Sequence, residues 1–440
     1  MTRPVQRWHA DYALLPDGLG RDVSFEVSDG RFTAITPGSV TGDAVRVPGI
    51  VLPGFANAHS HAFHRAMRGR THRDGGTFWT WREAMYAVAA QLDPDSYLAL
   101  AQATYAEMAL AGVTAVGEFH YLHHGPDGVP YDDPNAMGEA LRQAAVDAGI
   151  RLTLLDTCYL TGGLAGDGPV PLNQVQLRFG DGDAERWADR VRDIPASAGM
   201  LVGAAIHSVR AVPRDQMATV VAANAGRPLH VHLSEQPAEN EACLAYYGLT
   251  PTAVLDAEGV LGPDTSVVHA THLTDADTAT LGRTRTTACF CPTTERDLAD
   301  GIGPASALIA AGSALSLGSD QHAVIDLIEE ARALEMHERL DSLQRGRLGP
   351  EQLLAAATNH ASLGWTAGQL VPGACADLVA VRLDSVRTAG VDPAQVLLAA
   401  TASDVDTVIV DGRTVVSGGE HRLGDVGTLL QTAIEPLWEA

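Results

Sequence analysis

His59 and His61 close the run Pro53-Gly54-Phe55-Ala56-Asn57-Ala58-His59-Ser60-His61, which carries no formal charge from Gly49 onward. Side chains two apart on a strand share a side, so both imidazoles can reach one metal ion. An isolated His-x-His also occurs as ordinary loop polarity, so the weight falls on donors further along the chain. Several end later apolar segments: Glu118, His120 and Tyr121, then His207, His232 with Glu235, His269, and Asp320 in Gly318-Ser319-Asp320. Three neutral imidazoles and a carboxylate give a divalent ion a mixed nitrogen and oxygen shell with a position left for water. The metal lowers the water pKa to about 7, which makes hydroxide available at neutral pH. His59, His61, His232 and Asp320 are read as ligands of one zinc ion per chain, with ferrous iron as the alternative for the same donors. His269 stands by the water as a hydrogen-bonding electrophile and Glu235 as a proton shuttle, and Asp320 can also accept a proton.

Plainer readings stand beside these. A histidine at a strand end can be a satisfied polar group. An Asp after Gly-Ser suits a helix N-cap, and Glu235 suits a solvated helix start. Cys289-x-Cys291 fits thiolate ligation or core packing.

All thirty basic side chains of the 440-residue chain are arginine. Without lysine there is no Schiff base and no carboxylated-lysine bridge between two ions, so a centre on His59 and His61 is expected to be mononuclear. Arginine must then carry all cationic side-chain recognition, which suits bidentate contact with carboxylates. The net charge of -24 argues against nucleic acid or an anionic membrane as partner. The first twenty residues lack a continuous apolar core, and the five cysteines are scattered. A cytoplasmic protein in a reducing compartment is expected.

The elements that must position these residues alternate. Apolar or β-branched segments at 49–61, 113–120, 151–159, 201–209, 228–234, 265–272, 286–292 and 313–320 are separated by helical patterns, among them 94–111, 136–148, 214–225 and, after the last, 325–340. Eight strand and helix repeats predict a closed (β/α)8 barrel, whose strand C-termini gather residues distant in sequence onto one face. Both flanks read as short β segments, with Asp411-Gly412 as a hairpin turn. We therefore expect a metal-dependent barrel over 51–370 and a small β-sandwich domain built from 1–50 and 371–440.

Pro53-Gly54, His59-x-His61, His232-Leu233-Ser234-Glu235, His269-Ala270-Thr271-His272 and Gly318-Ser319-Asp320 resemble the amidohydrolase superfamily, in particular its mononuclear deaminases, over nearly the whole chain. More narrowly, His59-Ser60-His61-Ala62-Phe63, Arg65-Ala66-Met67, Phe78-Trp79-Thr80-Trp81-Arg82-Glu83, Glu118-Phe119-His120-Tyr121 and His207-Ser208-Val209-Arg210-Ala211-Val212 are similar to the formimidoylglutamate deiminases of histidine degradation. That resemblance implies hydrolytic deamination of N-formimidoyl-L-glutamate, a small dicarboxylate, to N-formyl-L-glutamate and ammonia. It implies substrate contacts from Arg82, Tyr121, His207 and Arg210, and a homodimer. Two arginines suit two carboxylates. The chain departs at His64, where many members carry Gln, so a contact near the substrate differs there. The alternatives are a deaminase of a guanine-, cytosine- or triazine-like ring, which would want aromatic stacking and amide donors, and a catalytically silent barrel acting as a binding protein.

Overall fold

The computed structural model describes residues 5–72, 76–195, 197 and 199–439. Eight strands close into a parallel barrel: β1 Phe55–Ser60, β2 Val113–His120, β3 Arg151–Cys158, β4 Met200–Ile206, β5 Leu229–Leu233, β6 Thr265–His269, β7 Thr287–Phe290 and β8 Leu315–Leu317. Strands such as β2 and β3 are buried along their whole length. Helices cover the outside and the inner side chains fill the middle, so these strands read as apolar runs rather than as alternation.

The helices match the periodicity, with shifts at their ends that local chemistry explains. The second helix after β1 is Pro94–Leu110, where Asp93 accepts from Ser96 N and proline opens the first turn. Ala136–Ala148 stops at Gly149, whose φ of 84° is left-handed, the backbone that glycine supplies at a helix end. The expected helix 325–340 is instead Leu327–Ser342, because the Asp326 side chain caps Ile328 N and Glu329 N. No helix among the described residues is long and apolar enough to cross a membrane.

The segment 49–61, read as one strand, is two. Val45–Pro53 belongs to the small sheet and β1 to the barrel, with Gly54 as the joint. A Cβ on Gly54 would lie 2.3 Å from Thr114 Cγ2, so only glycine fits this crossing.

The small domain is one eight-stranded sheet. Gln6–Leu15, Gly18–Ser28, Arg31–Thr36 and Val45–Pro53 supply one half; Leu378–Val381, Val405–Val410, Arg413–Ser417 and Glu420–His421 supply the other. The halves join where Pro53 to Ile50 run antiparallel to Leu378 to Val381. Asp411 and Gly412, at φ of 51° and 70°, make the expected tight hairpin turn, which needs a left-handed backbone at both positions. The sheet curls until Gly30 O accepts from Ala376 N at 2.8 Å, and Trp8, Phe25 and Phe32 share one core with Leu378 and Ile409, which is the sandwich-like packing expected. The sheet is tied to the barrel by a buried bidentate pair, Arg151 to Asp377 at 2.7 and 3.0 Å.

Candidate active site

The C-terminal ends of the strands carry the site. Between Asn57, which pairs with Val116, and Ser60, which pairs with Glu118, β1 contains one extra residue. Such a bulge re-aims side chains, and His59 and His61 turn into the barrel while Ser60 turns out. The regular part of β8 ends at Leu317, so Asp320 does not sit in a strand as expected. It lies just beyond, at φ 43°, bridged to Ser60. No helix starts there, so the N-cap reading of Asp320 falls. A Cβ on Gly318 would lie 2.7 Å from His59 Cβ, so glycine admits the close approach of this arm to β1.

The donors converge. His232 Nε2 faces His59 Nε2 at 3.1 Å, and Asp320 Oδ1 lies 3.3 Å from His59 Nε2 and 3.4 Å from His61 Nε2. His61 Nδ1 donates to Phe119 O and His232 Nδ1 to His207 O, both at 2.9 Å. Those bonds fix the tautomers and leave both Nε2 lone pairs free. Burial is the main force keeping the imidazoles neutral: it pushes His61 down to about 3, and His59 and His232 also below the usual histidine range, because a low-dielectric interior disfavours the charged ring. Asp320 is held below the ordinary carboxylate range; burial opposes this, and His59, His269 and His61 outweigh it. Neutral lone pairs from three imidazoles beside one ionised carboxylate fit a divalent cation.

Three carboxylates surround His269. Its Nε2 lies 3.8 Å from Glu235 Oε1 and 3.9 Å from Asp320 Oδ2, and its Nδ1 lies 3.5 Å from Glu295 Oε1. Burial disfavours its charge, but Glu235, Glu295 and Asp320 overcome burial and push it up to about 10. Glu235 also meets Arg210 Nη2 at 3.1 Å, and Arg210 Nε lies 3.1 Å from Glu239 Oε2.

A cavity of about 400 Å³ opens beside these groups. Every residue assigned a ligand, catalytic or substrate role from the sequence lines it except His59, which lies fully buried behind. His64 Nε2 is 2.8 Å from Tyr121 Oη, and its ring packs 4.5 Å from that of His61. The Arg82 guanidinium stacks over Tyr86 at 5.7 Å, and His207 Nδ1 is 3.1 Å from Ser208 Oγ. The side chain of Trp79, within the Phe78–Glu83 motif, lies outside the described ones.

Glu118 and His120 do not join the site. Glu118 accepts from Ser60 Oγ and Ala62 N, while His120 packs against Tyr97 and His123. Period-two alternation explains it: Phe119 and Tyr121 face inward, so their neighbours face the helices. Phe119, whose ring lies 5.1 Å from that of His59 and 4.3 Å from that of His232, was legible by the same rule and was missed. Glu239 and Glu295 had no sequence signal, since Arg210 and His269, the groups they meet, stand on other elements of the chain. Cys289 and Cys291 pack with Ala56, Ala58 and Val268, so the core reading holds for that pair.

Residues 50–415 match the amidohydrolase family, and residues 7–45 match the formimidoylglutamate deiminase HutF N-terminal domain. A formimidoylglutamate deiminase of Pseudomonas aeruginosa is 38% identical, covering 94% of this chain and 95% of its own. An 8-oxoguanine deaminase of the same organism is 30% identical over 87% of this chain and 85% of its own. The crystal structure of an amidohydrolase from Brucella melitensis superposes with a TM-score of 0.90 at 33% identity, covering 98% of this chain and 99% of that one. The narrower resemblance read from the sequence is thus matched in the N-terminal sheet and, by the first of these relatives, along most of the chain. A barrel with converging strand-end donors, a match over residues 50–415 and relatives aligned along most of their length lead to one conclusion: the chain belongs to the amidohydrolase family.

Proposed function

We propose that the protein hydrolyses the formimidoyl C–N bond of N-formimidoyl-L-glutamate, giving N-formyl-L-glutamate and ammonia. The observation that carries this reading is a single cavity lined by Arg82 and Arg210, by Glu235 and His269, and by the donor set of His61, His232 and Asp320. The substrate amidine is cationic at neutral pH, and its two carboxylates need cations.

His59, His61, His232 and Asp320 would hold one divalent ion, zinc or ferrous iron. When bound, that ion supplies a Lewis acid and an acidified water. Glu235 takes a proton from the water as the new C–O bond forms at the formimidoyl carbon. It returns that proton to the amidine nitrogen, the C–N bond breaks and ammonia departs. His269 donates a hydrogen bond to the tetrahedral centre, steadied by Glu295 on its far nitrogen. The second oxygen of Asp320 is a further proton acceptor. Arg82 and Arg210 take the carboxylates, with Tyr121, His207 and His64 as neutral donors around them. The Arg210 pairing with Glu235 and Glu239 means that a substrate carboxylate shares this guanidinium with both acids.

The aromatic lining from Trp81, Tyr121 and Tyr159 favours a ring substrate as the second reading. Against it, Gln236 is the one side-chain amide among the described lining residues, and it already donates to Asp300. Ammonia release by zinc-loaded protein from N-formimidoyl-L-glutamate, beside guanine, 8-oxoguanine and cytosine, separates the two. Release from the first alone supports the reading; release from a ring alone overturns it. The scattered cysteines suit a cytoplasmic location, and the family resemblance implies a homodimer, which sedimentation velocity tests.

A further inference from the structure

The barrel closes where β8 meets β1, and there the backbone ladder is short. One register pair, Leu317 with Asn57, and one bridge, Ser60 with Asp320, join the two strands. The same seam must set the distance between the His59-x-His61 arm and the Asp320 arm. Asp320 and His322 both have left-handed backbones, at φ of 43° and 62°. Such conformations persist only where the surroundings hold them.

Side chains on the outer side of the seam do the holding. Asn57 Oδ1 accepts from Ser319 N at 3.0 Å, and Asn57 Nδ2 donates to Ser319 Oγ at 2.7 Å. Ser319 Oγ lies 2.9 Å from His322 Nδ1, and His322 Nε2 lies 3.3 Å from Ser60 Oγ. Ser60 Oγ donates to Glu118 Oε2 at 2.6 Å, and Glu118 Oε1 accepts from Ala62 N at 2.6 Å. All five side chains are wholly buried.

The donors have one consistent direction. Because the Ser60 proton goes to Glu118, the Ser60 oxygen accepts from His322 Nε2–H. His322 Nδ1 then accepts from Ser319, whose oxygen accepts from Asn57. Glu118 is the acceptor at the end of the chain. Three points of the chain adjoin an expected ligand: Ser60 lies between His59 and His61, Ala62 follows His61, and Ser319 precedes Asp320.

We propose that Glu118 and His322 are positioning residues that fix the spacing of the His59–His61 arm and the Asp320 arm through Ser60 and Ser319, and thereby set how long the centre keeps its divalent cation. This rests on the metal-centre part of the proposed function and is independent of the substrate.

The test is the rate at which zinc-loaded protein loses zinc to a chromogenic chelator, read together with the melting temperature of the metal-free protein. Ser60→Ala, which cuts the chain at its middle with little change of volume, should lose zinc about 10- to 100-fold faster, as expected when groups that orient ligands are removed. The isosteric Glu118→Gln should also lose zinc faster, and it carries the test should Ser60→Ala not fold. Thr104→Ala removes another buried hydroxyl, one that donates to Leu100 O within its own helix, and should leave the rate unchanged. Zinc loss at the wild-type rate in both Ser60→Ala and Glu118→Gln overturns the proposal, as does equal acceleration by Thr104→Ala. A wild-type protein that binds no zinc overturns the metal-centre reading as well, so the two failures are distinguishable.

Discussion

Two clusters in this molecule have nearly the same ingredients and different natures. His59, His61 and His232 bring one ligand atom each within 4.8 Å of one another inside the barrel mouth; His120, His123 and Asp156 do the same on its outer side. All six are buried. The outer cluster, however, contains its own cation. Arg190 donates to both oxygens of Asp156 at 2.9 Å, Trp187 Nε1 adds a third bond at 2.9 Å, and Asp181 and Asn135 take the rest of the guanidinium. Asp156 already accepts three hydrogen bonds, and an ion there would face an arginine. The inner carboxylate, Asp320, meets histidines and borders a cavity. Ligand type and spacing do not define a metal centre; the local charge balance does.

Matched substitutions put that contrast under the most strain. Asp320→Asn should lower turnover by about 10⁴-fold, the scale of losing one member of a catalytic unit, and should lower bound zinc on metal analysis. Asp156→Asn should leave zinc content intact and instead cost about 1.5–3 kcal/mol of stability in denaturant unfolding, because it takes from the buried Arg190 one of its two carboxylate partners. If Asp156→Asn loses zinc and keeps its stability, the assignment of the two clusters is reversed. Within the inner cluster, Glu235→Gln should lower kcat by about 10³-fold with zinc retained, which separates proton transfer from ligation. Full activity in that variant would remove Glu235 from the chemistry.

Arg190 and Arg210 extend the comparison to the arginines. Both bridge two carboxylates, yet Arg210 borders the cavity and Arg190 does not. Arg210→Ala should raise KM for N-formimidoyl-L-glutamate by about 10- to 100-fold, the cost of a lost charge-assisted pair, with a smaller effect on kcat. An unchanged KM would place Arg210 with Arg190 as a structural cation.

Much of this was legible because barrels carry a strong sequence signal. Eight alternating segments with polar ends gave the barrel, and the strand-end rule gathered His59, His61, His232, His269 and Asp320. Asp411-Gly412 gave its hairpin because both turn positions need a left-handed backbone. What stayed hidden depends on three-dimensional neighbours. The run from Gly49 to Ala58 is uncharged and almost wholly apolar, so nothing local marks the passage from sheet to barrel at Gly54. Glu118 and His120 look like site residues by type, and only the inward phase of Phe119 and Tyr121 excludes them. Arg190 is an unremarkable helix arginine until Asp156 and Asp181, 34 and 9 residues away, are brought beside it.

The smallest expected effect is a slope rather than a loss. Asp156 and Asp181 are both held below the usual carboxylate range: burial opposes this, but Arg190 with His123 for Asp156, and His124 with Arg190 for Asp181, outweigh it. An unfolded aspartate titrates near pH 4, about where model peptides do. Between that pH and the lower native value the unfolded chain binds more protons than the native one. The stabilisation is therefore present above about pH 4 and is lost as pH falls below it, with each such group contributing about 1.4 kcal/mol per pH unit to the slope. Denaturant unfolding of metal-free Asp181→Asn from about pH 5 down to about pH 3 should show a shallower fall than the wild type by up to that amount. The outer slope should not respond to added zinc, whereas zinc binding to the inner centre should stabilise the protein in proportion to the logarithm of its free concentration. An unchanged slope in Asp181→Asn would mean that His124 and Arg190 do not hold Asp181 ionised. The outer cluster would then lose the internal charge balance that separates it from the metal centre.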